Sequence, residues 1–333
     1  MNKITVLMPV FNSEMYISQA ISSILAQTFQ NFCFYILDDG STDASVKIIK
    51  RFMHADPRIK FFSNKENLGI LKSRQTLIDL VETEFFAWMD SDDIATPERL
   101  QLQLERILEK NEYGGVSGAM KIINTQSVHK PPLNSEMVKA QLFVQNVMSN
   151  MAMIRTSALK KSGFSFATFS SKSASDYGMW AALSEVSTLT NLPFITNYYR
   201  HHTGQESQAN AHYQRLSAKE ICANNFKKLG IDIPNHLVTC IRLFPQDRVS
   251  KSEAKQILSL YLAAIEINNR IEKYHPAHFR TVLADSYRRH CRAFGLLGIF
   301  LFIKHFGISQ FLKGHKYGWS FTLYCWNHYS REK

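Results

Sequence analysis

Four short apolar runs alternate with helical periodicity over about the first ninety residues, and that alternation leaves few folds open. The runs are residues 4–8, 32–37, 59–62 and 85–89. Between the first two, Ile17, Ala20, Ile21, Ile24 and Leu25 fall at helical spacing within residues 15–27, and residues 70–81 read as another helix. A β-α-β-α-β-α-β order predicts an α/β fold with parallel strands and right-handed crossovers. Each run is followed by a loop: Pro9-Val10-Phe11-Asn12, Asp38-Asp39-Gly40-Ser41-Thr42-Asp43, Asn64-Lys65-Glu66-Asn67-Leu68-Gly69 and Asp90-Ser91-Asp92-Asp93. In a parallel sheet these loops share the edge at the carboxyl ends of the strands, where ligands of open α/β proteins bind.

The tetrad is chemically the densest of the four. Three carboxylates this close raise one another's pKa unless a cation neutralises them. Hard oxygen ligands suit Mg²⁺ or Mn²⁺, which commonly share their coordination with substrate phosphates. A solvated acidic turn, with Pro97 opening a helix over residues 96–108, accounts for the same four letters. Asp39, at the end of the second run, tips the balance: two acidic loops on one sheet edge suggest a nucleotide-plus-metal site.

In this order and spacing, Val6-Leu7-Met8-Pro9-Val10-Phe11-Asn12, the Asp38 loop, Asn67-Leu68-Gly69 and the tetrad resemble the successive signatures of family 2 glycosyltransferases, over about the first 205 residues. The resemblance implies a GT-A fold, a Rossmann-like and mostly parallel sheet flanked by helices. It implies inverting transfer of a hexose or N-acetylhexosamine from a UDP-sugar donor. The chain is most similar to bacterial lipooligosaccharide, O-antigen and capsule glycosyltransferases, which implies a glycan or glycolipid acceptor.

Residue roles follow from the same resemblance. Asp39 would contact the uracil or ribose, with Pro9 and Phe11 along the base and Asn67, Arg74, Asp90 and Ser91 completing the donor site. Asp92 would ligate Mn²⁺ or Mg²⁺ with Asp90 and with His202 of the run Tyr198-Tyr199-Arg200-His201-His202. Asp176, followed by Tyr177 and Trp180, aligns with the catalytic base. Each residue also has a plainer use. Asp39 and Asp176 are N-cap residues by type, Asp43 suits capping of the second helix, Pro9 and Phe11 suit a turn, and Arg74 and His202 suit a solvated surface. Asp93 reads as a supporting contact or as a cap for residues 96–108. For Asp176 the base role is favoured because no other Asp or Glu lies between Glu136 and Glu185. The chain departs from the family pattern at Ser175, where relatives carry Glu, and at Ser149, where they often carry His. These departures bear on the acceptor and the donor sugar respectively.

Composition sets the outer bounds. A chain of 333 residues with 45% apolar content can bury one or two cores. Its five scattered cysteines show no CxxC pair and no zinc spacing, so a reduced, cytoplasmic setting is expected. No signal peptide is recognisable ahead of the first run. The absence of a Walker loop and of GxGxxG argues against an ATPase or a dinucleotide enzyme. A nucleotidyltransferase would use the same metal and sheet edge, but needs a basic first loop that Val10-Phe11-Asn12-Ser13 lacks. A non-catalytic sugar-nucleotide binding module would have no use for Asp176.

The charge is split. Residues 1–210 hold 20 Lys and Arg against 20 Asp and Glu, whereas residues 211–333 hold 19 against 8, so the whole net charge of +11 sits in the final third. This predicts a catalytic domain over residues 1–210 and a basic, mainly helical C-terminal domain over residues 211–333. Within the latter, the apolar run 293–303 is flanked by Arg288, Arg289 and Arg292, then by Lys304, Lys313 and Lys316, with Trp319, Tyr324 and Trp326 beyond. A bilayer span needs about 20 residues, so the run is too short to cross. It reads as an interfacial element on an anionic membrane surface, making the protein peripheral on the cytoplasmic face of the inner membrane, or else as a core helix. Nucleic acid is not an expected partner, because the aromatics cluster with aliphatics and no recognition motif is present.

Overall fold

The computed structural model describes residues 3–168, 175–202, 205, 210–244 and 247–313. Of the residues singled out in the sequence, Lys316, Trp319, Tyr324 and Trp326 lie outside these residues. The chain divides into two compact units, Met1–Val138 with Asn146–Gln214, and Lys139–Gln145 with Arg215–Lys333.

The first unit begins β1 (Ile4–Val10), α1 (Ile17–Leu25), β2 (Phe32–Asp38), α2 (Ser45–Ala55), β3 (Ile59–Ser63), α3 (Ile70–Asp79) and β4 (Phe85–Trp88). The order β3-β2-β1-β4 pairs in parallel throughout. β1, β2 and β4 are buried along their whole length, as continuous apolar runs require when both sheet faces are covered. α1 buries Ile17, Ala20, Ile21 and Ile24, the stripe its periodicity announces.

The rest of the sheet is mixed. β6 (Tyr113–Ile122) is joined to β4 through β8 (Met153–Arg155), which runs antiparallel to both. β9 (Thr188–Tyr199) runs parallel to β6, β5 (Ile94–Ala95) pairs antiparallel with β9, and β7 (Val128–His129) folds back on β6. In β9 the register steps from Leu192 opposite Gly118 to Ile195 opposite Ala119, leaving Pro193 and Phe194 as a bulge. Proline has no N–H to give the ladder, so the bulge falls where the ladder must break. The helices α4 (Arg99–Leu108), α5 (Ser135–Gln141), α6 (Thr156–Ser162) and α7 (Ser175–Leu183) complete the α/β arrangement. α4 starts three residues later than the sequence suggests, because β5 and its turn occupy residues 94–98; its N-terminus carries no side-chain cap, so Asp93 does not cap it.

The second unit is helical: α8 (Ala211–Lys227), through which the chain enters it, α9 (Asn235–Val238), α10 (Lys251–Ile271), α11 (Pro276–Tyr287), a 3₁₀ turn (His290–Phe294), α12 (Leu297–Phe306) and α13 (Ile308–Lys313). α10 opens on a capping box between Ser250 and Glu253. The inserted residues 139–145 are anchored by Asn225, whose Nδ2 donates to the carbonyls of Leu142 and Phe143 (both 3.1 Å). The Phe143 ring packs on Phe226 and Phe279 at 4.6 and 4.9 Å. Gly295, at φ 56°, separates the 3₁₀ turn from α12, so residues 293–303 do not form one helix. Among the described residues no helix is long and apolar enough to cross a membrane.

Candidate active site

The loops after β1, β2, β3 and β4 are bonded to one another. Asn12, in the left-handed region at φ 46°, donates its amide N–H to Ser41 Oγ (2.9 Å) and accepts the Thr42 N–H on Oδ1 (2.9 Å). The Ser13 N–H donates to Ser45 Oγ (2.8 Å), and the hydroxyls of Ser13 and Ser91 lie 2.7 Å apart. Asp43 accepts the Ser45 and Glu14 N–H groups (2.9 Å each), a capping contact at the start of α2.

Asp39 is buried and organises the third loop. Its Oδ1 accepts from Asn64 Nδ2 (2.7 Å) and the Leu68 N–H (3.0 Å), and its Oδ2 accepts from the Gly69 N–H (2.8 Å). Three of about four lone-pair sites on the carboxylate are therefore committed to the chain itself. Gly40 lets the second and third loops touch. It sits at φ 74°, and a Cβ there would lie 2.7 Å from the carbonyl carbon of Glu66. Asn67 is exposed on this loop. Phe11 is exposed at the mouth of the first loop, whereas Pro9 is not a loop residue: it is buried within β1, opposite Leu37.

In the tetrad each carboxylate has a different partner. Arg74, on α3, donates an Nη2–H to Asp90 Oδ1 (3.3 Å) and lies over the Trp88 ring (5.4 Å). Its Nε is buried with no hydrogen-bond partner among the described residues. Asp92 Oδ2 lies 3.0 Å from His202 Nε2, and the His202 ring packs on Tyr16 at 4.7 Å. Asp93 is buried and accepts the backbone N–H of Arg200 (3.0 Å). The Arg200 side chain donates to the Asp92 carbonyl (2.8 Å) and to Gln19 Oε1 (2.7 Å). Arg99, fully buried, donates to the Trp88 carbonyl (2.5 Å) and to Gln103 Oε1 (3.2 Å).

The electrostatics follow from burial. Desolvation, then the charge of Asp90, pushes the Asp92 carboxyl above the usual carboxylate range, with His202 pulling the other way. Burial, then Asp90 and Asp92, pushes Asp93 up as well. Burial lowers the Arg99 guanidinium to about 9, opposed by Asp90 and Asp93, so it remains a cation at neutral pH. The cluster thus favours additional positive charge.

The expected metal trio is not assembled. Among the described residues no group of three His, Cys, Asp or Glu side chains is arranged to hold a metal ion, and Asp90 is engaged by Arg74 instead. Asp92 and His202 remain as a pair. Their 3.0 Å contact is a hydrogen bond between the two side chains. As an imidazole nitrogen and a carboxylate oxygen they are donor types that Mn²⁺ accepts.

Asp176 lies in the first turn of α7, inside the helix rather than ahead of it, and accepts from Asn146 Nδ2 (3.2 Å). Burial pushes its carboxyl above the usual range, and the charge of Arg74 is the strongest influence in the opposite direction. Arg74 thus pairs with Asp90 and its charge also acts on Asp176. Sequence reasoning assigned no role to Arg99, Asn146 or Tyr16. Arg200 lies in the Tyr-Arg-x-His run, which was its one visible signal. A cleft of about 490 Å³ lined by Ile94, Lys121, Asn124, Gln126 and Tyr198, among others, opens beside β5 and β9 and includes none of these site side chains.

The profile of the family described as Glycosyl transferase family 2 matches residues 5–171. An uncharacterized glycosyltransferase of Haemophilus influenzae is 29% identical over 279 residues, covering 78% of this chain and 86% of its own length. The Escherichia coli UDP-Glc:alpha-D-GlcNAc-diphosphoundecaprenol beta-1,3-glucosyltransferase WfgD is 28% identical over 228 residues, covering 68% of this chain and 82% of its own. Among solved structures, residues 1–349 of S. aureus TarS in complex with UDP-GlcNAc superpose with a TM-score of 0.59 at 20% identity, over 87% of this chain and 92% of that one. At that identity the likeness is one of fold, the GT-A arrangement that the motifs imply. With the family profile spanning half of its length, the chain belongs to glycosyl transferase family 2 and is a glycosyltransferase (EC 2.4) that moves a sugar from a nucleotide sugar.

Proposed function

We propose that the protein transfers a hexose or N-acetylhexosamine from a UDP-sugar to a bacterial surface glycan, inverting the anomeric carbon. The observation that carries this reading is the linked set of loops at the carboxyl ends of the parallel strands, where Arg74 pairs with Asp90 at 3.3 Å, together with the carboxylate Asp176, held by Asn146 Nδ2 at 3.2 Å. TarS holds UDP-GlcNAc in its crystal structure, and WfgD takes UDP-Glc to a lipid-diphosphate-linked sugar by its name; both support a uridine donor, and the second supports a lipid-linked acceptor.

The loops after β1, β2 and β3 bind the uridine, with Asp39 holding the third loop in shape. Asp176 removes the proton from the attacking acceptor hydroxyl as the nucleotide departs, and Asn146 fixes its orientation. The charge of Arg74 opposes the upward shift that burial gives the Asp176 carboxyl. Asp92 and His202 would hold a divalent cation, which when bound would compensate the charge of the leaving diphosphate. Arg200 anchors the main chain of Asp92 and the side chain of Asp93.

The test is a panel of nucleotide sugars with Mn²⁺, offered alone and with a GlcNAc-diphospholipid acceptor, reading nucleotide release and product linkage by NMR. UDP release that depends on metal and acceptor, with a β-linked product from an α-linked donor, is expected. An α-linked product would refute inversion. Release of pyrophosphate instead of UDP would favour a nucleotidyltransferase, and donor binding without turnover on any acceptor would favour a binding module.

A further inference from the structure

We propose that the outer face of α12 and α13 is a docking surface for an anionic lipid membrane. The two helices have opposite faces of different character. Phe302 and Phe306 are buried, with the Arg288 guanidinium 4.4 Å from the Phe302 ring centroid and the Tyr287 ring 5.9 Å from Phe306. Gly298 is pressed so closely on the 3₁₀ turn that a Cβ would meet the Cys291 carbonyl. On the outer face, Leu297 is 59% exposed, Phe300 71%, Ile308 62% and Leu312 48%. Their spacing of three and four residues within each helix puts each pair on one stripe. Core packing accounts for the inner face only, and large exposed apolar side chains grouped on two neighbouring helices mark an interaction surface.

Charge identifies the occupant. No Asp or Glu occurs between Asp285 and Glu332, while seven Lys or Arg do. Lys304 is exposed one helical turn beyond Phe300, and the exposed Arg280 donates to the His305 carbonyl (2.6 Å) at the end of α12. A second copy of the chain would bring together two stretches that carry exposed Lys304 and Arg280 and no carboxylate between residues 286 and 331, which like-charge repulsion opposes. An anionic lipid surface satisfies both features, taking the apolar stripe into the headgroup boundary and the cations at the phosphates. No described helix can cross the bilayer, so the contact lies on the membrane plane. This surface stands independently of the sugar-transfer reading.

The experiment is co-sedimentation of the full-length protein with vesicles of phosphatidylcholine containing phosphatidylglycerol, against phosphatidylcholine alone, at low and high salt. Binding to the anionic vesicles that weakens with salt is expected. Phe300→Gln and Ile308→Gln, both at exposed positions, should each weaken it by about tenfold or more, the lower bound for burying one large apolar side chain. Lys304→Glu should weaken it and flatten its salt dependence. Leu108→Gln, an exposed apolar residue of α4, should change nothing. Thermal melts of each variant show whether the fold is retained. The proposal is overturned if the parent protein ignores anionic vesicles at low salt, or binds both vesicle types equally. It is also overturned if Phe300→Gln binds as the parent does, or if that variant abolishes self-association in a protein that ignores vesicles.

Discussion

Arg74→Gln gives a prediction with a definite sign. As the proposed base, Asp176 must be ionised to accept a proton, so kcat falls as pH drops through its pKa. Burial raises that pKa, and the charge of Arg74 is the largest influence holding it down. Removing the cation therefore moves the acid limb of kcat to higher pH. Each pH unit by which the limb moves is a tenfold loss of kcat below both limbs, and above both the two enzymes converge. The assay is kcat against pH at saturating donor and acceptor. Donor KM rises as well, because Asp90 loses its partner at 3.3 Å, but saturation keeps that effect out of kcat. An acid limb at the same pH in both proteins would refute the coupling between Arg74 and Asp176.

Asp92→Ala, or treatment with EDTA, should abolish turnover, and undiminished activity under either condition would rule out the proposed cation site. Gly40→Ala should weaken donor binding and lower thermal stability by about 1–3 kcal/mol, since Ala at φ 74° is strained and its Cβ meets the Glu66 main chain; a variant that melts and binds like the parent contradicts the close approach of the two loops. Arg99→Met should lower stability by about 2–3 kcal/mol in denaturant titration, because the Trp88 carbonyl is left buried without its donor; an unchanged midpoint shows that the site repacks.

The parallel half of the sheet is legible in the sequence because strands buried on both faces leave continuous apolar runs. β5, β7 and β8 span two or three residues each, too short to show any period, so the mixed half is not. The acidic loops can be found because carboxylates crowded at a strand end repel one another unless a cation is near. Their partners cannot. Arg99 is one basic residue in an ordinary amphipathic helix, and only the folded chain shows it buried beneath the Asp90 turn. The trio Asp90, Asp92 and His202 is a reasonable grouping by residue type, but it omits the guanidinium that claims Asp90. Asp39 illustrates the same limit: its position is visible in the sequence, but the three N–H groups that occupy it come from residues 64–69. The capture of residues 139–145 by the helical unit rests on Asn225 and Phe226, about eighty residues away, a distance over which no local pattern carries information.

Asp176→Asn tests the proposed chemistry most directly. The substitution keeps the shape of the side chain within α7, so thermal stability and UDP-sugar affinity should stay close to those of the parent. A positioned base contributes about 10²–10⁴-fold, and single-turnover transfer to the acceptor should slow by that factor. Transfer at the parental rate, with donor affinity intact, would show that the base lies elsewhere and would contradict the role given to Asp176.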